Sequence, residues 1–138
     1  MKARITWLED MTYVAQSPSG HALVLDGPPE LGGHNLGPRP MEMLLMGMGG
    51  CTAVDVVHIL RKARQDLRGC ELQLEAERAD SDPKVFTDIR VHFILTGKDL
   101  SPKHVERAIE LSAEKYCSAS IMLGKTARIT HTFEIREA

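Results

Sequence analysis

One stretch of this chain constrains its fold more than any other. Met41, Leu44, Leu45, Met48, Thr52, Val56, Ile59, Leu60 and Ala63 recur at helical spacing, and Met43, Met46, Ala53, Val54 and Val57 fill the other faces. The spacing predicts a helix that opens near Pro40, where proline suits a first turn. It becomes amphipathic only at Arg61-Lys62-Ala63-Arg64-Gln65, whose cations suit a C-terminal end, and Gly69 offers a stop. A helix apolar most of the way round must be covered on most sides. Gly47, Gly49 and Gly50 interrupt it, and each costs up to about 1 kcal/mol against alanine. Two compensations fit. Another backbone crosses closely there, or the helix breaks and starts afresh at Cys51.

The rest of the chain alternates between strand and helix signals. Ala3–Leu8, Thr12–Ala15 and His21–Leu25 read as an antiparallel meander, with turns at Glu9-Asp10 and Ser17-Pro18-Ser19-Gly20. Asp26 to Pro40 is rich in proline and glycine, and an irregular loop of that length is usually functional or mobile. Cys70–Arg78 and Phe86–Thr96 alternate as strands. Ser101-Pro102 opens a second helix with Val105, Ala108, Ile109, Ser112 and Ala113 as its buried stripe, ending around Lys115 to Cys117. A short helical turn, Ser118 to Leu123, leads to a last strand, Ala127 to Ile135. The order β-β-β-α-β-β-α-α-β makes an α+β protein.

Size and charge narrow the function. The chain has 138 residues, which predicts one domain over 1–138, and a core large enough to need no disulfide or metal staple. A net charge of -2 and an aromatic content of 4% argue against a nucleic-acid surface. No charged-then-apolar leader opens the chain, and the apolar run Met43 to Val54 is shorter than a membrane span. A cytoplasmic protein with reduced thiols, away from membranes, is the expectation.

Three cysteines, Cys51, Cys70 and Cys117, show no CxxC spacing. The six histidines form no HxH or HExxH pattern, so neither a metal nor a cofactor is expected. Cys51 follows Gly49-Gly50 directly. A helix break there would set its sulfur against free N–H groups and the positive end of a helix dipole, both of which favour thiolate. In a continuous helix that help is lost. Asp55 and His58 follow at i+4 and i+7 on the same face, where a protonated His58 favours thiolate and an ionised Asp55 opposes it. Cys117 has small neighbours, Ser118, Ala119 and Ser120, that leave room for a second thiol. Each cysteine also reads as an inert packed residue, and Cys70 receives no role. The methionines suit core or interface packing, or the wall of a pocket for a hydrophobic ligand.

Pro38-Arg39-Pro40-Met41-Glu42-Met43-Leu44-Leu45, followed by Gly49-Gly50-Cys51-Thr52-Ala53-Val54-Asp55-Val56-Val57, resembles the first cysteine motif of the OsmC/Ohr family. That family comprises osmotically inducible protein C and organic hydroperoxide resistance proteins. Glu114-Lys115-Tyr116-Cys117-Ser118 resembles its second cysteine segment, and the YhfA-like branch fits best. The resemblance implies antiparallel sheets packed around a long central helix in an intertwined homodimer. It implies a peroxidase of oxidative-stress defence, with Cys51 attacking an organic hydroperoxide, Cys117 resolving the product, and a dithiol or lipoylated protein as reductant. It also implies an arginine in an early loop, oriented by a glutamate. Glu9-Asp10-Met11 supplies no arginine, so Arg39 is the candidate cation. The family's glutamate aligns with Met41, and Glu42 lies one residue later, about 100° round a helix. These departures sustain a second reading, a non-enzymatic dimer that senses redox state or binds a small hydrophobic ligand. A Cys51–His58 hydrolase is a third.

Overall fold

In a computed structural model that describes residues 1–138, the chain gathers into two compact units, Met1–Leu44 and Leu45–Ala138. In the first unit β1 (Arg4–Glu9), β2 (Thr12–Gln16) and β3 (Ala22–Asp26) form the expected antiparallel meander in that order. Ile5 faces Ala15, Trp7 faces Tyr13, and Leu23 and Leu25 face Ala15 and Tyr13 in turn. Strand alternation places these six side chains on one face. Ile5 and Trp7 nevertheless remain 58% and 63% exposed.

The proline-rich loop is staked down rather than loose. Asp26 is fully buried, and its carboxylate accepts the backbone N–H groups of His34 and Leu36 at 3.0 and 3.1 Å. Burial alone would push this carboxyl up. The N–H groups of Leu36, His34 and Gly27 and the Thr12 hydroxyl outweigh it and hold the carboxyl below its ordinary value. At mid-loop the His34 ring also makes a 2.7 Å contact with Asp10. That hydrogen bond raises the His34 pKa.

The long helix, α1, runs unbroken from Pro40 to Lys62. The Arg39 N–H donates to the Glu42 carboxylate at 2.7 Å, which satisfies one of the donors a helix start leaves free. There is no break at Gly49-Gly50, so the reading of a fresh helix start at Cys51 falls. A Cβ on Gly49 would sit 3.0 Å from the Leu74 side chain, so glycine lets the helix press onto the sheet. A Cβ on Gly47 or Gly50 would meet nothing. Met48, Thr52, Val56 and Leu60 form a row at 0% exposure, while Met46 and Val54 are 54% and 70% exposed. The helix is therefore covered along one row and bare along another within a single chain. By length and composition alone α1 is also able to cross a membrane, which the short apolar run did not suggest. A core helix passes the same test, and the sealed row Met48, Thr52, Val56 and Leu60 accounts for one side of that apolarity.

Arg64, at φ 58°, ends the helix in the left-handed conformation expected of a glycine. The next strand therefore begins earlier than Cys70. β4 (Asp66–Arg78) includes Gly69, at a register shift rather than a helix stop. β5 (Phe86–Lys98) pairs antiparallel with β4 and places Ile89, Val91, Phe93 and Leu95 at 0–1% exposure. α2 (Pro102–Leu111) starts as expected, with the Ser101 hydroxyl accepting the His104 N–H. It stops at Leu111, and a π-helical turn, Ser112–Tyr116, follows. Then come α3 (Ser118–Leu123) and β6 (Arg128–Glu137). β6 pairs with β5 in parallel, which corrects the expectation of antiparallel sheets throughout. The helices between them form the long crossover that a parallel pair requires.

Candidate active site

Three elements of the second unit converge on one spot. α1 supplies Cys51, Thr52 and Asp55, with Cys51 and Asp55 one turn apart. The π-helical turn supplies Ser112. Its extra residue closes on the Cys117 N–H, which donates to the Ser112 carbonyl at 2.8 Å. Cys117 then caps α3, its Sγ accepting the Ser120 N–H at 3.3 Å and the Ser120 hydroxyl at 3.0 Å.

The Cys51 and Cys117 sulfurs and an Asp55 carboxylate oxygen all lie within 4.8 Å of one another. Cys51 and Asp55 are half-buried, and Cys117 is fully buried. A hydroxyl chain fixes the carboxylate. The Ser112 hydroxyl donates to Asp55 at 3.0 Å, which leaves the Thr52 hydroxyl, 2.8 Å away, to donate to Ser112. Burial is the main cause that pushes the Cys117 thiol up, and the neighbouring Cys51 adds to it. The two Ser120 donors pull the other way without reversing the shift. Because α1 is continuous, Cys51 sits well inside it and gains no fresh N-terminus. A helix-dipole contribution fades within the first turn.

Beside this cluster lies an open cleft of about 670 Å³, lined by Asp55, His58, Ile59, Lys62, Leu111 and Tyr116 among others. Its wall holds no methionine, so the pocket the methionine stripe suggested is not the one seen.

A family model described as OsmC-like protein matches residues 33–132. Protein YhfA of Escherichia coli (strain K12) is 49% identical over 135 residues, which cover 98% of each chain. The chain belongs to the OsmC-like protein family. Among solved structures, a hypothetical protein from Aquifex aeolicus VF5 is 27% identical with a TM-score of 0.87, covering 99% of this chain and 96% of that one. An organic hydroperoxide resistance protein OsmC from Legionella pneumophila shares the fold at 18% identity, with a TM-score of 0.73 over 96% of this chain and 95% of its own.

Of the residues singled out from sequence, the fold brings together Cys51, Cys117 and Asp55. His58 lines the cleft, seven residues beyond Cys51 and so about 10 Å further along the helix. The Cys51–His58 pairing of a hydrolase is therefore not built. Arg39 and Glu42 fall in the first unit, where the guanidinium donates to the Asn35 side-chain oxygen at 2.7 Å and Glu42 caps the helix start. The expected carboxylate-to-guanidinium orientation is not the contact Glu42 makes. Cys70 is half-buried on β4, and burial pushes its thiol up. Sequence reasoning placed Thr52, Ser112 and Ser120 as packed or small residues and missed their hydroxyl roles. Their signal was small polar residues set in otherwise apolar helical stripes.

Proposed function

We propose that this protein reduces organic hydroperoxides with Cys51 as the attacking thiol and Cys117 as the resolving thiol, in oxidative-stress defence in the cytoplasm. The convergence of the two sulfurs within 4.8 Å carries this reading. Their different burial supports the division of roles, since Cys51 is reachable from solvent and Cys117 is not. The Cys51 thiolate attacks the outer peroxide oxygen and the O–O bond breaks. With one proton from solvent the products are an alcohol and Cys51 sulfenic acid. The Cys117 sulfur then displaces water from the sulfenic acid, forming a disulfide. A dithiol, such as a lipoylated protein, returns both thiols. Ser120 serves the resolving step by donating to the Cys117 sulfur. The apolar side of the cleft, with Ile59, Leu111 and Tyr116, suits the organic part of the substrate. His58 and Asp55 border it. The name of the Legionella relative points the same way.

The working form is proposed to be a homodimer. Bare Met46, Gly50 and Val54 on α1 and the exposed apolar face of the meander are the surfaces a second copy would cover. Anaerobic titration with an organic hydroperoxide tests the chemistry. The parent should lose two thiols per equivalent. Cys51→Ser should consume none, and Cys117→Ser should halt at sulfenic acid. Peroxide consumption by Cys51→Ser at the parental rate would overturn the assignment. The cleft also favours a second reading, a redox-sensing or hydrophobic-ligand-binding dimer. Native mass spectrometry of freshly isolated protein should then show a copurified small molecule.

A further inference from the structure

The convergent cluster has a property that thiol redox chemistry does not use. Two sulfurs and one carboxylate oxygen, three donors that are anionic when deprotonated, point at one spot within 4.8 Å of one another. The carboxylate's partner there is the Ser112 hydroxyl, not a cation. In a tetrahedral zinc site, with sulfur at about 2.3 Å and oxygen at about 2.0–2.2 Å, neighbouring donors stand roughly 3.5–3.8 Å apart. Closing from 4.8 Å takes at most about 1.3 Å of approach between any two donors. Two of the donors lie one turn apart on a rigid helix, and the third caps the next element. The surrounding hydrogen bonds are those that orient metal ligands. Ser112 holds the Asp55 carboxylate, and Ser120 holds the Cys117 sulfur.

We propose that the reduced chain binds one thiophilic divalent cation, Zn²⁺ by its donor set, through Cys51 Sγ, Cys117 Sγ and an Asp55 oxygen. A fourth position is left to water or a ligand from the cleft. Soft thiolates with one carboxylate select zinc over magnesium or calcium. Binding exchanges two thiol protons for the ion and releases them to solvent, with no change of oxidation state. The metal and the Cys51–Cys117 disulfide exclude one another, because each uses both sulfurs. The site rests on donor geometry and stands whether or not the pair reduces peroxides.

Cobalt titration of fully reduced, chelator-stripped protein under anaerobic conditions tests this. One Co²⁺ per chain should bind with an intense near-ultraviolet thiolate charge-transfer band and the visible bands of a tetrahedral ion. About two protons should be released per ion. Equimolar Zn²⁺ should bleach the bands. Cys51→Ser and Cys117→Ser should each lose much of the charge-transfer intensity. Asp55→Asn, which keeps its size and its partner, should weaken binding by about tenfold or more. Cys70→Ser should bind as the parent does. Circular dichroism on each variant shows that the fold is retained. Absence of the charge-transfer band, a band that survives Cys117→Ser at full intensity, one ion per two chains, or parental affinity in Asp55→Asn would overturn the site. Peroxide consumption measured on the same preparations keeps failure of the metal site separate from failure of the peroxidase.

Discussion

Cys117 is where residue-level physics makes the sharpest kinetic statement. It is sealed from solvent, and burial pushes its thiol up. A thiol held up is mostly protonated near neutral pH, yet the group that attacks a sulfenic acid is the thiolate. The resolving step should therefore speed up by about tenfold per pH unit while Cys117 remains largely protonated, and the rise should continue past the ordinary thiol range. Sulfenic acid trapping by dimedone in a pH series measures this, and a flat profile would refute it. Ser120 works against the burial through its hydroxyl, 3.0 Å from the sulfur. Ser120→Ala should push the thiol higher still and slow disulfide formation by about tenfold, the worth of one hydrogen bond to a charged sulfur. The Cys51 attack should stay at its parental rate.

Among the elements, the loop after β3 depends on one side chain. Asp26 collects the His34 and Leu36 N–H groups and the Thr12 hydroxyl, and these bonds are strongest to the ionised carboxylate. Asp26→Ala should raise hydrogen exchange at the His34 and Leu36 amides by about tenfold or more, since each loses a charged acceptor. The pH sign follows from the depressed pKa. The stabilisation is fully present above the unfolded carboxylate value and is lost as pH falls through the lower folded value. Unchanged exchange in the variant would show that the loop is held by something else. Little of this was legible in sequence, because Asp26 looked like the first residue of an irregular loop and Pro28, Pro29, Pro38 and Pro40 looked like looseness. The helices and strands were legible where periodicity was long, as in α1 and β5. Their ends were not, because Arg64 took the left-handed position expected of a glycine and the π-helical turn left no mark on the apolar stripe of α2. The two cysteines were legible as a pair through family resemblance alone. Their approach to Asp55 depends on how α1, the π-helical turn and α3 pack, which periodicity does not report.

For the molecule as a whole, α1 poses the remaining question. Its buried row, Met48, Thr52, Val56 and Leu60, accounts for one side of an apolar helix, and Gly49 accounts for its approach to Leu74. Nothing in the single chain accounts for Gly47 or Gly50, where a Cβ would meet open space, or for Val54 at 70% exposure. A helical glycine away from any neighbour costs stability without a local return. An apolar row with glycines at its centre is the surface along which a second helix can approach closely, with van der Waals contact in place of side chains. The chain should therefore be a dimer by sedimentation equilibrium at micromolar concentration. Val54→Glu should convert it to monomer, because a carboxylate set in a dry helix contact costs far more there than on an open surface. Gly50→Leu, which adds bulk and no charge, should dissociate it by the same route. In both variants the buried row is untouched, so far-ultraviolet circular dichroism should retain its helical signal. A parental sequence that sediments as a monomer, or a Val54→Glu variant that stays dimeric, would place the partner elsewhere and leave the two glycines without a physical reason.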